Sequence, residues 1–230
     1  MKRSEINLAI RRAEAFFAKF NFLLPPFAFW STEDWEDKGE EVEEIRRCKL
    51  GWDVTDLTTG RFQEVGLVLF TIRNGDPRQA IEDSKCYAEK IMMVGEEQIT
   101  PWHFHWTKSE DIINRGGGNL TIKLSWASEN ESSFSDRLVE VSCDGKLKKV
   151  KAADSLRLSP GESISIPPNL YHKFYGEKGH GPVLVGEVSR TNNDEIDNRF
   201  LEPLGRFPPI EEDEAPYRLL CTEYPEPKFS

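Results

Sequence analysis

The chain has 230 residues and a formal charge of −10, from 40 acidic and 30 basic side chains. That balance repels nucleic acids and anionic membrane surfaces, so neither is an expected partner. A hydrophobic fraction of 38%, with 14 Phe, 6 Trp and 5 Tyr, supports a sizeable core and excludes a disordered chain. Cys48, Cys86, Cys143 and Cys221 are widely spaced with no CxxC pair. The first residues, MKRSEINLAIRRAEAFF, are amphipathic and lack the continuous apolar core of a signal peptide. No stretch reaches the ~18 apolar residues of a membrane span. These features predict a cytoplasmic protein with reduced thiols.

In chain order, Ser4 is placed to cap an opening helix, in which Ile6, Ala9, Ile10, Ala13, Phe16, Phe17 and Phe20 form one apolar stripe. Pro25 and Pro26 end it. Ser31 starts a second, acidic helix expected to run to about Arg47. The carboxylates of Glu33–Glu44 and of Glu211–Glu214 read as solvated faces. EVGLVLFTIR, Glu64 to Arg73, is a strand ended by the turn signal Asn74-Gly75. From Tyr87 the texture is all strand: YAEKIMMV, QITPWHFHW, IINRGGGNLTIKLSWA, a hairpin around Asp144-Gly145, SLRLSPGESISIPP, HKFYGE and GPVLVGEVSR. Such spacing predicts a mainly β sandwich or barrel. The proline-rich tail from Asn192 is apolar enough to pack back on the body. Residues 1–50 read as a helical extension and 51–230 as the barrel with its tail, one domain overall.

Two stretches carry chemistry. His103 and His105 are one residue apart, so on a strand they face the same way. Glu110 follows beyond a short turn. Two imidazoles and a carboxylate suit a divalent ion such as Zn, Mn, Fe, Co or Ni. Some sixty residues later, Gly161-Glu-Ser-Ile-Ser-Ile-Pro-Pro-Asn169-Leu-Tyr-His172 sets a histidine just after a proline-rich turn. His180 lies in the loop EKGHGP and reads as exposed.

The spacings His-x-His, four residues, Glu, six residues, Gly, then Gly, five residues, Pro, one residue, Asn, two residues, His resemble the two cupin motifs. Asn169 and Gly176 depart from the usual residues, and Gly95 lies two residues further upstream than usual. The resemblance implies a cupin jelly-roll barrel of six to eight strands with His103, His105, Glu110 and His172 on the metal. Cupins include isomerases, dioxygenases and non-catalytic sugar-binding proteins, and the fold does not choose among them. Near the expected metal, Lys108 is a proton donor or charge stabiliser. Glu187 is a carboxylate facing inward, and Glu202, between Arg199 and Arg206, is another. Lys90, in KIMMV, either snorkels outward, the default, or projects inward.

Across nearly the whole chain, LPPFAFW, LGWDVTD, YAEKIMMV, TPWHFHWTKSEDIINRGGGNL and VGEVSRTNNDEIDNRFLEPLGRFPPIEEDEAP resemble the D-lyxose isomerases of the cupin superfamily. The resemblance implies an aldose–ketose isomerase acting on D-lyxose and D-mannose with a divalent metal, usually Mn²⁺. A sugar substrate would bind the metal through O1 and O2, with Lys90, Arg199 and Arg206 as substrate-binding cations. The proton would move through a cis-enediol, with Glu202 as first candidate base and Glu187 as second, and Lys108 and Glu110 relaying the hydroxyl proton. A hydride shift is the rival mechanism. The aromatic excess of Phe27, Phe29, Trp30 and Trp35 predicts a homodimer.

Overall fold

The computed structural model of the protein describes residues 1–79 and 84–227, so 80–83 and 228–230 of the expected barrel span lie outside it. An eight-stranded antiparallel sheet runs in the order β1 (Gly51–Thr55), β2 (Leu67–Arg73), β3 (Tyr87–Val94), β12 (Val183–Arg190), β5 (Glu110–Gly117), β10 (Ser163–Ile166), β7 (Val139–Cys143) and β8 (Lys146–Val150). A second sheet of five strands is ordered β13 (Arg199–Phe200), β4 (Thr100–Phe104), β11 (Leu170–Gly176), β6 (Leu120–Trp126) and β9 (Ser155–Leu158). The 13 strands among the described residues exceed the six to eight implied by the resemblance; β1 and β2 at one edge of the larger sheet and the two-residue β13 at one edge of the smaller are among the additions.

The alternation read from the sequence explains the barrel. Ile112 on β5, Ile122 and Leu124 on β6, Val139 and Val141 on β7, Ile164 on β10 and Val183 and Val185 on β12 turn inward into one core between the sheets. The β7–β8 hairpin forms at Asp144-Gly145 as expected, with φ of 49° and 77°, the left-handed pair that a tight hairpin turn demands. Asn169 sits at φ 62°, so the residue standing where cupins usually have glycine does adopt the glycine-like conformation.

The outer face of β1, β2 and β3 is covered by helix α1 (Arg3–Lys19). Its stripe of Ile6, Ala9, Ile10, Ala13 and Phe17 packs on Trp52, Val54, Val68, Phe70 and Ile91 in a second core. The Phe17 ring stacks on Trp52 with centroids 6.1 Å apart. Two expectations about the helical region need correction. The acidic segment forms two short helices, α2 (Thr32–Glu36) and α3 (Glu43–Arg47), because the chain leaves helical geometry around Gly39. Ser4 lies inside α1, where it bonds Asp213. The carboxylates of 211–214 are therefore more than a solvated face. Glu212 and Glu223 grip the buried Arg3 guanidinium, Asp213 accepts from the Ser4 amide and hydroxyl, and Glu214 accepts from Asn7. They satisfy donors at a helix N-terminus, where negative charge is favoured. The tail packs back on the body as expected, with Leu220 bridged to Trp52.

Candidate metal and sugar site

β4 and β11 bring His103 and His172 opposite each other in register. Between Thr100 and His103 the β4–β11 ladder slips by one residue. That irregularity, next to a proline with no amide to donate, leaves both residues buried on the inner side. His105 follows at the end of β4, and Glu110 opens β5 on the facing sheet. The ligating atoms of His103, His105, Glu110 and His172 all lie within 4.8 Å of one another, and all four residues are buried. These are the four ligands expected from the motifs.

The protonation of this group follows from its partners. The Nδ1 atom of His103 faces the Pro101 carbonyl at 2.8 Å, that of His172 faces the Leu170 carbonyl at 3.0 Å, and that of His105 faces the Asp197 carbonyl. A carbonyl only accepts, so each Nδ1 carries a proton, and Nε2 is the atom each ring turns toward the site. Burial, with the neighbouring imidazoles adding to it, holds His103 well below the ordinary histidine range. Burial and the Lys108 charge push His105 down to about 4. Glu110 stays ionised, because the Lys108 charge and the histidines outweigh the effect of burial. His172 Nε2 stands 2.8 Å from Glu110 Oε1, and neither of these buried atoms makes a hydrogen bond of good geometry. A divalent cation would satisfy both, and three imidazoles with one carboxylate are a donor set that such ions accept.

Beside the ligands runs a buried chain of charge. Lys108 Nζ lies 2.8 Å from Glu110 Oε2 and 2.9 Å from Glu187 Oε1, and Lys90 Nζ lies 3.4 Å from the same Glu187 oxygen. Asn192 Oδ1 accepts from both lysines, at 2.9 and 3.2 Å. Burial alone would neutralise these groups. The two carboxylates instead hold Lys108 above the usual lysine range, and the two lysines hold Glu187 below the usual carboxylate range. Lys90 does not snorkel: at 4% exposure it points inward, paired across the β3–β12 ladder with Glu187.

The remaining site expectations separate. Arg206 lines the cavity, but its guanidinium is held by Asp53 and Asp194. Arg199 pairs in register with Phe104, whose ring packs on the outer side against Tyr171 and Trp106, so Arg199 faces away from the metal ligands. Glu202 is exposed beyond β13 and does not line the cavity; β13 is only two residues long, and the chain turns outward after Leu201 bonds the Trp102 carbonyl. Phe200, paired with His103, faces the site in their place, its ring 5.8 Å from that imidazole.

The segment 191–200, expected from Asn192 on to be a tail packing back on the body with Arg199 on the substrate, holds further site residues. It carries Asn192, Asp194, Asp197, Asn198 and Phe200 across one end of the barrel. Its signal was the density of Asn and Asp in TNNDEIDNR directly after a buried strand, which a free loop does not need.

The family pattern described as D-lyxose isomerase matches residues 1–224. A relative named D-lyxose/D-mannose isomerase from Escherichia coli O157:H7 is 49% identical over 225 residues, covering 97% of this chain and 98% of its own. The chain belongs to the D-lyxose isomerase family. A relative of the same name from Serratia proteamaculans matches to the same extent. Membership favours the isomerase among the activities that the cupin resemblance left open. The fold is shared with L-ribose isomerases. That of Acinetobacter sp. DL28, solved in complex with L-ribose, gives a TM-score of 0.58 at 14% identity, over 88% of this chain and 93% of that one. That of Cellulomonas parahominis gives 0.54 at 16% identity, over the same shares.

Proposed function

We propose that this chain is a divalent-metal-dependent aldose–ketose isomerase interconverting D-lyxose with D-xylulose and D-mannose with D-fructose. The observation that carries the reading is the set of three imidazole nitrogens and one carboxylate converging beside an ionised glutamate held between two lysines. The names of the two 49% identical relatives supply the sugars.

His103, His105, Glu110 and His172 would hold the ion. When bound, it would supply Lewis-acid polarisation of the sugar carbonyl. Glu187 takes the place first given to Glu202. It is buried, ionised and beside the ligands, so its carboxylate accepts the proton from C2 of the open-chain aldose and returns it to C1. Lys108, bonded to Glu187 and charged, stabilises the negative oxygen that develops at O1, gives it a proton, and recovers one from the C2 hydroxyl as the ketone forms. Lys90 fixes the far side of the same carboxylate. Phe200 shields His103 from solvent.

Manganese is the proposed native ion, a homodimer the proposed assembly and the cytoplasm the proposed compartment. No helix among the described residues is long and apolar enough to cross a membrane. Incubation of Mn²⁺-loaded protein with D-lyxose and with D-mannose should yield D-xylulose and D-fructose. Absence of both ketoses would overturn the reading. Deuterium entering from heavy water at C1 or C2 would mark proton transfer; its absence would favour a hydride shift.

A further inference from the structure

Six buried side-chain polar atoms lack a hydrogen-bond partner among the described residues; three of them, on Thr100, Glu110 and Asn198, line this one cavity, and a fourth, His172 Nε2, lies beside Glu110. Buried polar atoms are almost always satisfied, so a cluster of exceptions asks for an occupant. Glu110 Oε1 and His172 Nε2 are accounted for by the ion. Thr100 Oγ1 and Asn198 Oδ1 are not.

Neither residue is a plausible metal ligand beside three imidazoles, and neither belongs to the lysine–glutamate chain. Both line the cavity that holds His103, His105 and Glu110. They also bracket the ligands along β4. Thr100 precedes His103 across the irregularity, and it is 5% exposed. Asn198 comes just before Arg199, which pairs with Phe104, so it flanks the strand at the level of His105. Thr100 is paired across the ladder with Phe174, and Met92 and Ile112 contribute apolar surface to the same cavity. A hydroxyl in such a wall costs free energy unless a ligand hydroxyl meets it.

We propose that Thr100 and Asn198 are specificity-determining residues. Each binds one of the sugar hydroxyls on the carbons beyond the pair held by the metal. The proposal rests on the isomerase reading and extends it to the part of the sugar that does not react. These bonds form equally in ground and transition states, so they set KM and leave kcat alone.

The test compares Thr100→Val, Thr100→Ser and Asn198→Ala with the wild type, all Mn²⁺-loaded, on D-lyxose and its 3-, 4- and 5-deoxy analogues. Manganese content, read by atomic absorption, should stay at the wild-type level in all of them. Thr100→Val and Asn198→Ala should each raise KM for D-lyxose about five- to tenfold, as for one lost hydrogen bond, with kcat within about twofold. Thr100→Ser, which keeps the hydroxyl, should restore most of the loss. For each variant, one deoxy analogue should give the same KM with variant and wild type, since the partner hydroxyl is already missing. An unchanged KM on D-lyxose would overturn the proposal. So would an equal penalty on every analogue, the mark of a merely structural effect. A wild-type protein that neither binds nor isomerises D-lyxose would instead bring down the isomerase reading beneath it.

Discussion

At the scale of single residues, the ligand set was legible because its spacing is local: His103 and His105 share a strand face, and Glu110 needs only a short turn to join them. The proposed base was not legible. Glu187 and Glu202 are both glutamates in apolar surroundings, and only the ladder shows that one lies opposite Lys90 inside the barrel while the other lies beyond the last paired residue. His103→Ala, His105→Ala and His172→Ala should each lose bound metal and nearly all turnover, by atomic absorption and ketose assay. Survival of activity in metal-free protein would remove the ion from the reaction. Glu187→Gln should lower kcat by about 10²-fold or more with metal retained. Glu202→Gln should stay within about twofold of wild type, as surface substitutions do. The reverse ranking would return the role to Glu202.

At the scale of elements, strand alternation and turn residues gave the barrel, since period-two burial and left-handed Asn or Gly positions are written locally. The strap of residues 191–200 escaped, because its order comes from distant partners. Asp197 is its anchor. Its carboxylate accepts from the Thr107 amide at 3.0 Å, the Thr107 hydroxyl at 2.7 Å and the Lys108 amide at 3.0 Å, while its carbonyl orients His105. One residue thus ties the strap to the turn that carries Lys108. Asp197→Ala should free both, lowering metal affinity or turnover about 10- to 100-fold, the usual cost of losing a partner that orients a ligand. Metal titration and steady-state kinetics would show it; wild-type values in both would mean that the anchor is dispensable.

At the scale of the whole molecule, the two ends of the chain hold each other. Glu212 and Asp213 have pKa values lowered mainly by hydrogen bonds, from Arg3 and Ser4 respectively. A carboxylate depressed in the folded state binds fewer protons there than when unfolded. Its stabilisation is complete above the unfolded value, near pH 4, and disappears as pH falls through the native one. The thermal midpoint should therefore drop as pH falls below about 4.5, and Ser4→Ala with Asp213→Ala should flatten that part of the curve. An identical slope in the double variant would locate the acid sensitivity elsewhere. Phe17→Ala, at 1% exposure and stacked on Trp52, should cost about 3–5 kcal/mol in denaturant titration. The aromatic excess that suggested a dimer is largely consumed within one chain, where Phe27 meets Phe70 and Trp35 stacks on Tyr224. Leu8, Leu23 and Phe29 remain exposed. Light scattering at micromolar concentration should give twice 26.4 kDa if these residues pair two copies; a monomer mass would refute the dimer.

The Nδ1 atoms of all three imidazoles in the candidate metal site face main-chain carbonyls. A main-chain oxygen is present whatever residue occupies its position, so ordinary point mutation cannot delete the steering group itself. Genetic drift around the ion is thereby buffered, as long as the backbone path is kept. Thr100 and Asn198 have no such protection, because their contribution is only their side chains. If Thr100 and Asn198 bind the sugar as proposed, selection for a new sugar can rewrite those two positions while the reaction centre is inherited intact.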